Sequence, residues 1–252
     1  MVIIIKNIYK AFLNSSSGFI LDIPHIEFKR GILSFVMGKN GSGKSLLLKT
    51  LFGELASDKQ VSLQLSTSHY EMLSNLENAH LAEMVECKLL RQNARENLAL
   101  ELTVKENFIL HFTYSNLREK FFPKKFFVNQ LEKKLALNPH FLKKQNQCVS
   151  ELSGGQQQAL AFFLTTLYPS KLLLLDEFFS ATDYSTTECL LAKAEIYAQE
   201  NEAAVIIVSH DIETALRHGR EIFILSNGKY IETIQRDSLN WNREYIKNKI
   251  IR

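Results

Sequence analysis

Apolar residues in this chain fall in short unbroken runs rather than in long stripes. Residues 2–5, 32–37, 172–175, 205–208 and 222–225 are such runs, rich in β-branched residues or leucine. Runs of this length predict strands covered on both faces. Residues 61–65 alternate apolar and polar, which predicts a half-exposed strand. Helical segments follow two of the buried runs, at 44–52 and at 184–199. This alternation of strand and helix implies an α/β fold built on a mainly parallel, helix-covered sheet.

The stretch 93–168 has a different texture. Residues 104–114, 126–136 and 156–167 read as helices with no clear strand between them. The expectation is a single domain over 1–252, with an α/β core from 1–92 and 169–252 and an inserted helical subdomain at 93–168. No internal repeat or low-complexity linker interrupts it. The tail from 236 to 252 is short and basic, and reads as a solvated surface helix.

Composition narrows the function classes. Of 252 residues, 46% are hydrophobic and 23% charged, which supports a packed core and excludes a disordered chain. A net charge of +3 without a basic run gives no stripe for tracking a phosphate backbone, so no nucleic-acid partner is expected. Cys87, Cys148 and Cys189 are scattered, with no CxxC pair. That argues against a disulfide framework and against zinc, and fits a reducing, cytosolic compartment. The N-terminal run is too short for a signal peptide, and the leucines at 172–175 are too few to span a bilayer. Any membrane role therefore needs a partner chain.

The strongest chemical signal is Gly38-Lys39-Asn40-Gly41-Ser42-Gly43-Lys44-Ser45, which satisfies G-x-x-x-x-G-K-[ST] between a predicted strand and a predicted helix. Glycines let successive N–H groups turn inward to cradle phosphate, and the helix N-terminus adds partial positive charge. Lys44 supplies a full charge to the β/γ oxygens, and the Ser45 hydroxyl is a ligand for Mg²⁺. An ordinary glycine turn would not need the whole motif. Four leucines then run into Asp176-Glu177. Alternation along a strand points these two carboxylates apart, so Asp176 can face a metal and Glu177 a water. A third element, Ser153-Gly154-Gly155-Gln156, is a second glycine turn opening a helix, hence a second anion site, with Ser153 also suited to cap that helix.

Leu152-Ser153-Gly154-Gly155-Gln156 resembles the signature of ATP-binding-cassette (ABC) ATPases, and the resemblance extends over essentially the whole chain. It implies a P-loop NTPase fold with a small antiparallel β part, ATP as nucleotide and Mg²⁺ as metal, held by Ser45, Asp176 and Gln92. By the same resemblance Glu177 is the catalytic base, His210 the switch histidine, Gln92 the glutamine-loop residue, and Phe12 (Tyr9 as second choice) the aromatic that stacks on adenine. Ser180-Ala181-Thr182-Asp183 resembles the D-loop that crosses the dimer interface. The implied partners are a second nucleotide-binding copy, an integral membrane permease and a solute-binding protein, at the cytoplasmic face of the plasma membrane. Phe178 stands where the family has proline, Thr182 where the D-loop has leucine, and Gln158-Ala159 where many members carry an arginine. The continuation QQALAFF after the signature is most similar to ATPases of tryptophan/tyrosine-type bacterial importers. The alternatives are a soluble non-transport ABC ATPase (an assembly or translation factor) and an exporter ATPase. The gap of about a hundred residues between the two glycine turns has no sustained heptads, against a chromosome-structure ATPase, and Glu177 with His210 is against an inert ATP-binding scaffold.

Overall fold

The computed structural model describes residues 2–12, 18–59, 61–67, 70–76, 86–115, 139–179 and 182–251. Its strands are β1 (Val2–Phe12), β2 (Phe19–Lys29), β3 (Leu33–Met37), β4 (Val61–Thr67), β5 (Tyr70–Leu76), β6 (Cys87–Leu90), β7 (Leu172–Asp176), β8 (Ala204–Val208), β9 (Glu221–Ser226) and β10 (Lys229–Gln235). Its α-helices are α1 (Lys44–Leu51), α2 (Val104–Ser115), α3 (Pro139–Lys143), α4 (Gly154–Thr166), α5 (Tyr184–Glu200), α6 (Ile212–His218) and α7 (Arg243–Ile251). The strands form one sheet in the order β5-β4-β1-β2-β10-β9-β3-β8-β7-β6.

Four of the five uninterrupted apolar runs became the central strands β3, β7, β8 and β9; residues 2–5 instead open β1 in the antiparallel wing, where only Ile3 and Ile5 of the run are fully buried. The ladders joining β9, β3, β8, β7 and β6 are all parallel. Side-chain alternation sorts each run between two cores. Leu172 and Leu174 pack with Leu47, Leu48 and Leu51 of α1 on one face. Leu173 and Leu175 pack with Leu160 and Phe162 of α4 and with Leu190 and Leu191 of α5 on the other. The four strand leucines are 0% exposed, and full burial of such a side chain contributes roughly 1.5–3 kcal/mol. Both faces are thus covered by helices or by other strands.

The antiparallel wing, β5, β4, β1 and β2, is larger than the sequence pattern suggested. Both long strands conceal their period. In β1 the buried positions are Ile3, Ile5 and then Ile8; in β2 they are Leu21, Ile23 and then Ile26 and Phe28. The parity flips where Asn7, with φ of 64°, lies opposite Pro24. Proline cannot donate to the ladder, and the left-handed residue absorbs the local kink.

Between β6 and β7 the described elements are helical: a 3₁₀ turn at Ala94–Glu96, α2, α3, a second 3₁₀ turn at Val149–Glu151, and α4. Thr103 and Glu106 cap α2 reciprocally, Thr103 N donating to Glu106 Oε2 at 2.8 Å and Glu106 N to Thr103 Oγ1 at 3.2 Å. The helix expected at 126–136 lies outside the described residues. The tail corrects its sequence reading: α7 is docked, not merely solvated. Ile246 is 0% exposed, Trp241 Nε1 donates to Leu216 O at 3.3 Å, and Tyr245 Oη donates to Glu232 Oε2 at 3.1 Å.

Candidate active site

Strands β3 and β7 both pair in parallel with β8, so three carboxyl-terminal loops emerge side by side. They carry residues 38–45, Glu177 and His210. The crevice beyond the carboxyl ends of parallel strands is where α/β sheets hold ligands. Here it opens into a cavity of about 740 Å³ whose walls include Phe12, Phe19, Asn40, Gly41, Lys44, Ser45, Glu177 and His210.

The 38–45 loop folds as a cradle because two of its glycines take conformations that side-chain residues rarely adopt. Gly41 has φ of 78° and Gly43, the N-cap of α1, φ of 100°. A Cβ on Gly38 would stand 2.2 Å from Leu225 O. Lys44 is only 5% exposed, and its Nζ donates to Gly38 O at 2.9 Å and Lys39 O at 3.0 Å. Burial holds its pKa below the ordinary lysine value, against the opposing pull of Glu177 and Asp176. The Ser42 hydroxyl, buried in the same loop, has no hydrogen-bond partner among the described residues.

Ser45 Oγ donates to Asp176 Oδ1 at 3.1 Å, joining the start of α1 to the end of β7. Burial raises the Asp176 carboxyl above the ordinary aspartate value; the Ser45 hydrogen bond opposes that, and neighbouring Glu177 adds to it. Glu177 leaves the strand in a left-handed conformation, φ 46°, with its N–H donating to Val208 O at 3.1 Å. Its side chain reaches His210, Nε2 to Oε1 at 2.6 Å. The two carboxylates diverge, Asp176 toward the hydroxyl and Glu177 toward the histidine, but β7 ends at Asp176, so the left-handed turn at Glu177, not strand alternation, sets the second direction.

These features fit a nucleoside triphosphate. A side chain at Gly38 would collide with Leu225 O, and among the described residues the buried ammonium is held by neutral carbonyl oxygens and the Ser42 hydroxyl lacks a partner. They also fit Mg²⁺ bound through its substrate. Among the described residues no cluster of three or more His, Cys, Asp or Glu could hold a metal ion alone. Mg²⁺ characteristically takes one or two protein ligands and completes its shell with phosphate oxygens and water. Ser45 and Asp176 are such a pair.

The signature residues lie elsewhere. Ser153 caps α4 with Gln156 in a reciprocal box, Gln156 N donating to Ser153 Oγ and Ser153 N to Gln156 Oε1, both at 3.3 Å. Gly154 and Gly155 occupy the first helical turn, where N–H groups precede the intrahelical ladder. Ser153, Gly155 and Gln156 line a separate cavity of about 680 Å³ together with Asp183, Thr186 and Lys193. Of the D-loop segment, Asp183 caps α5 by accepting from Thr186 N at 2.9 Å, while Ser180 and Ala181 lie outside the described residues.

The remaining expectations divide. Phe12 lines the 740 Å³ cavity. Tyr9 does not; its ring carries the Lys59 ammonium 4.0 Å from the centroid. Phe19, which the sequence reading missed, faces Phe12 across the β1–β2 ladder with ring centroids 6.4 Å apart. Only the register of the ladder reveals that pair. Gln92 is exposed and is not on the cavity wall. It follows β6 by two residues, and Leu90, the last residue of β6, is the register partner of Leu175.

Comparison with known proteins identifies the family. A profile of the ABC transporter family matches residues 21–180, more than half of the chain. A tyrosine transport ATP-binding protein of Clostridioides difficile is 28% identical over 90% of this chain and 89% of its own length. A probable sulfate/thiosulfate import ATP-binding protein of Chlorella vulgaris is 31% identical over 92% and 90%, respectively. In fold, the chain matches a nucleotide-free ATP-binding cassette from an ABC transporter, with a TM-score of 0.72 at 21% identity, covering 100% of this chain and 95% of the other. The family profile and these relatives show that this chain belongs to the ABC transporter family, as an ATP-binding subunit with ATPase activity.

Proposed function

We propose that two copies of the chain, or one copy and a related subunit, enclose ATP between them and drive a separate membrane permease. The observation that carries this reading is the separation of the two glycine turns. The cavity with Lys44 and the cavity with Ser153 share no lining residue within one copy. A second copy supplies what the first lacks: its α4 N-terminus over the phosphates held by residues 38–45.

In that arrangement Lys44 and the amides of residues 38–45 would hold the phosphates, and Ser45 with Asp176 would hold Mg²⁺. The ion, when bound, neutralises charge developing on the phosphate oxygens. Glu177 orients water and takes its proton, and His210 holds Glu177 in place and contacts the terminal phosphate. Gln92 closes on the site from the end of β6. Phe12 carries the adenine ring. Catalysis is positioning together with charge stabilisation. Glu177→Gln should keep ATP affinity, lose turnover and accumulate an ATP-bound dimer, followed by phosphate release and light scattering. Unchanged turnover would refute the base.

The helical subdomain at 93–168 is the proposed contact with the permease; Ile109 and Leu110 of α2 are 44% and 49% exposed. Among the described residues no helix is long and apolar enough to cross a membrane, so the work on the solute falls to the partner. The proposed location is peripheral, at the cytoplasmic face of the plasma membrane. Import of a small solute such as an amino acid is the proposed task, supported by relatives named for tyrosine transport and for methionine import. A solute-binding protein would complete such a system. Co-purification from membranes with a polytopic protein tests the assignment; a soluble partner alone overturns it.

A further inference from the structure

Glu177 sits in a backbone conformation that side chains rarely adopt. Its N–H contact to β8 and its bond to His210 fix the residue from two directions. A third constraint comes from its neighbour. Because the chain reverses at Glu177, the next side chain turns away from the solvent crevice. Phe178 is 0% exposed. Its ring lies edge-on to Phe179, 5.4 Å between centroids at 77°, and 6.3 Å from the ring of Phe162. Phe162 belongs to α4, the helix that begins at the Ser153 cap. Thr182 Oγ1 donates to Phe179 O at 2.9 Å. A packed line thus runs from the signature helix through Phe162 and Phe178 to the backbone of Glu177.

We propose that Phe178 is a positioning residue for the ATPase reaction: its ring fixes the strained backbone of Glu177 and ties the placement of that carboxylate to the placement of α4. The inference rests on the reading of Glu177 as the base. Close-packed rings transmit displacement because an interior without voids cannot absorb it locally. Phe178 does not line the cavity of about 740 Å³, so it has no direct hold on nucleotide. Its contribution belongs to turnover and not to affinity.

The test uses the full chain carrying Phe178→Ala, Phe178→Leu, Phe162→Ala and the Phe162→Ala/Phe178→Ala pair, with phosphate release, equilibrium binding of a fluorescent ATP analogue and thermal melting measured on each. Phe178→Ala should lower kcat roughly ten- to a hundredfold while KM and ATP affinity stay within about twofold of the parent. Phe162→Ala should lower kcat as well, and the double variant should be no worse than Phe178→Ala alone, as coupled neighbours are. A kcat per folded molecule unchanged in Phe178→Ala, with only the melting temperature reduced, would show a mere core residue and overturn the proposal. Losses in kcat that multiply in the double variant would overturn the link to α4. Should Phe178→Ala not fold, Phe178→Leu, which keeps apolar volume without the flat ring, must show a severalfold lower kcat at unchanged KM; a parental kcat overturns the proposal. Glu177→Gln in parallel separates the two readings. If it retains turnover the base assignment fails, and if it abolishes turnover while the Phe178 variants behave as the parent, this inference alone fails.

Discussion

Lys44→Ala tests the phosphate cradle at the residue on which the most chemistry depends. In the nucleotide-free chain the ammonium already donates to Gly38 O and Lys39 O. ATP binding therefore exchanges two neutral acceptors for two phosphate oxygens; it does not create two bonds where none existed. Both bonds already carry the ammonium charge, and what changes is the acceptor, from a neutral carbonyl to an ionised oxygen; taking the difference between neutral hydrogen bonds (about 0.5–1.5 kcal/mol) and those to charged groups (about 1.5–3 kcal/mol) for that change, each exchange gains about 1–1.5 kcal/mol. Two exchanges amount to about 2–3 kcal/mol, or roughly a 30- to 150-fold difference in Kd. Lys44 is buried before nucleotide arrives, so its desolvation is already met in the folded chain and does not count against binding. For the same reason stability should hardly move. Alanine loses two hydrogen bonds but relieves a buried charge, and the melting temperature should stay within about 5 °C. Anisotropy of a fluorescent ATP analogue gives the affinity, and a thermal melt on the same sample checks the fold. A variant that binds ATP within about threefold of the parent, with an unchanged melt, would refute the cradle and the two-copy reading built on it.

Two further substitutions address the other halves of the site. Ser153→Ala removes the α4 cap and should cost about 1 kcal/mol, a fall of roughly 2–4 °C in melting temperature. It should leave ATP binding by a single copy intact, because Ser153 lies outside the Lys44 cavity, while turnover is lost; phosphate release and analogue binding separate the two effects. Asp176→Asn should raise the melting temperature of the nucleotide-free chain at neutral pH. The folded carboxyl has a raised pKa, so the folded state holds the proton more tightly than the unfolded one, and ionising Asp176 costs stability. That loss grows as pH rises from the ordinary aspartate value through the raised one, and melts across this window should show the variant's advantage vanishing at the acid end. Its Mg²⁺-dependent phosphate release should be abolished at every pH.

Much of the fold and of the phosphate end of the site was legible in the sequence. The uninterrupted runs at 172–175 and 205–208 could only be satisfied by burial on both faces, which made them central parallel strands. Residues 38–45 combined glycines that tolerate positive φ with a helix start, and the leucine run ended at the adjacent carboxylates Asp176 and Glu177. These features are local: each is set by the geometry of a few consecutive residues.

Other features needed distant segments to meet. The period of β2 is broken at Pro24, so its strand became apparent only beside β1. Phe19 joined Phe12 because of ladder register, and Trp241 anchored the tail because the carbonyl of Leu216 was there to accept. The division of the two glycine turns into separate cavities is likewise set by packing across the chain. The sequence by itself determined which short segments would be strands and which would be glycine turns opening a helix, because backbone sterics and side-chain alternation act between neighbours. The tertiary structure alone decided which of those segments share a cavity and which ring supports which carboxylate. Those relations depend on close packing between residues far apart in the chain, and no local pattern encodes it.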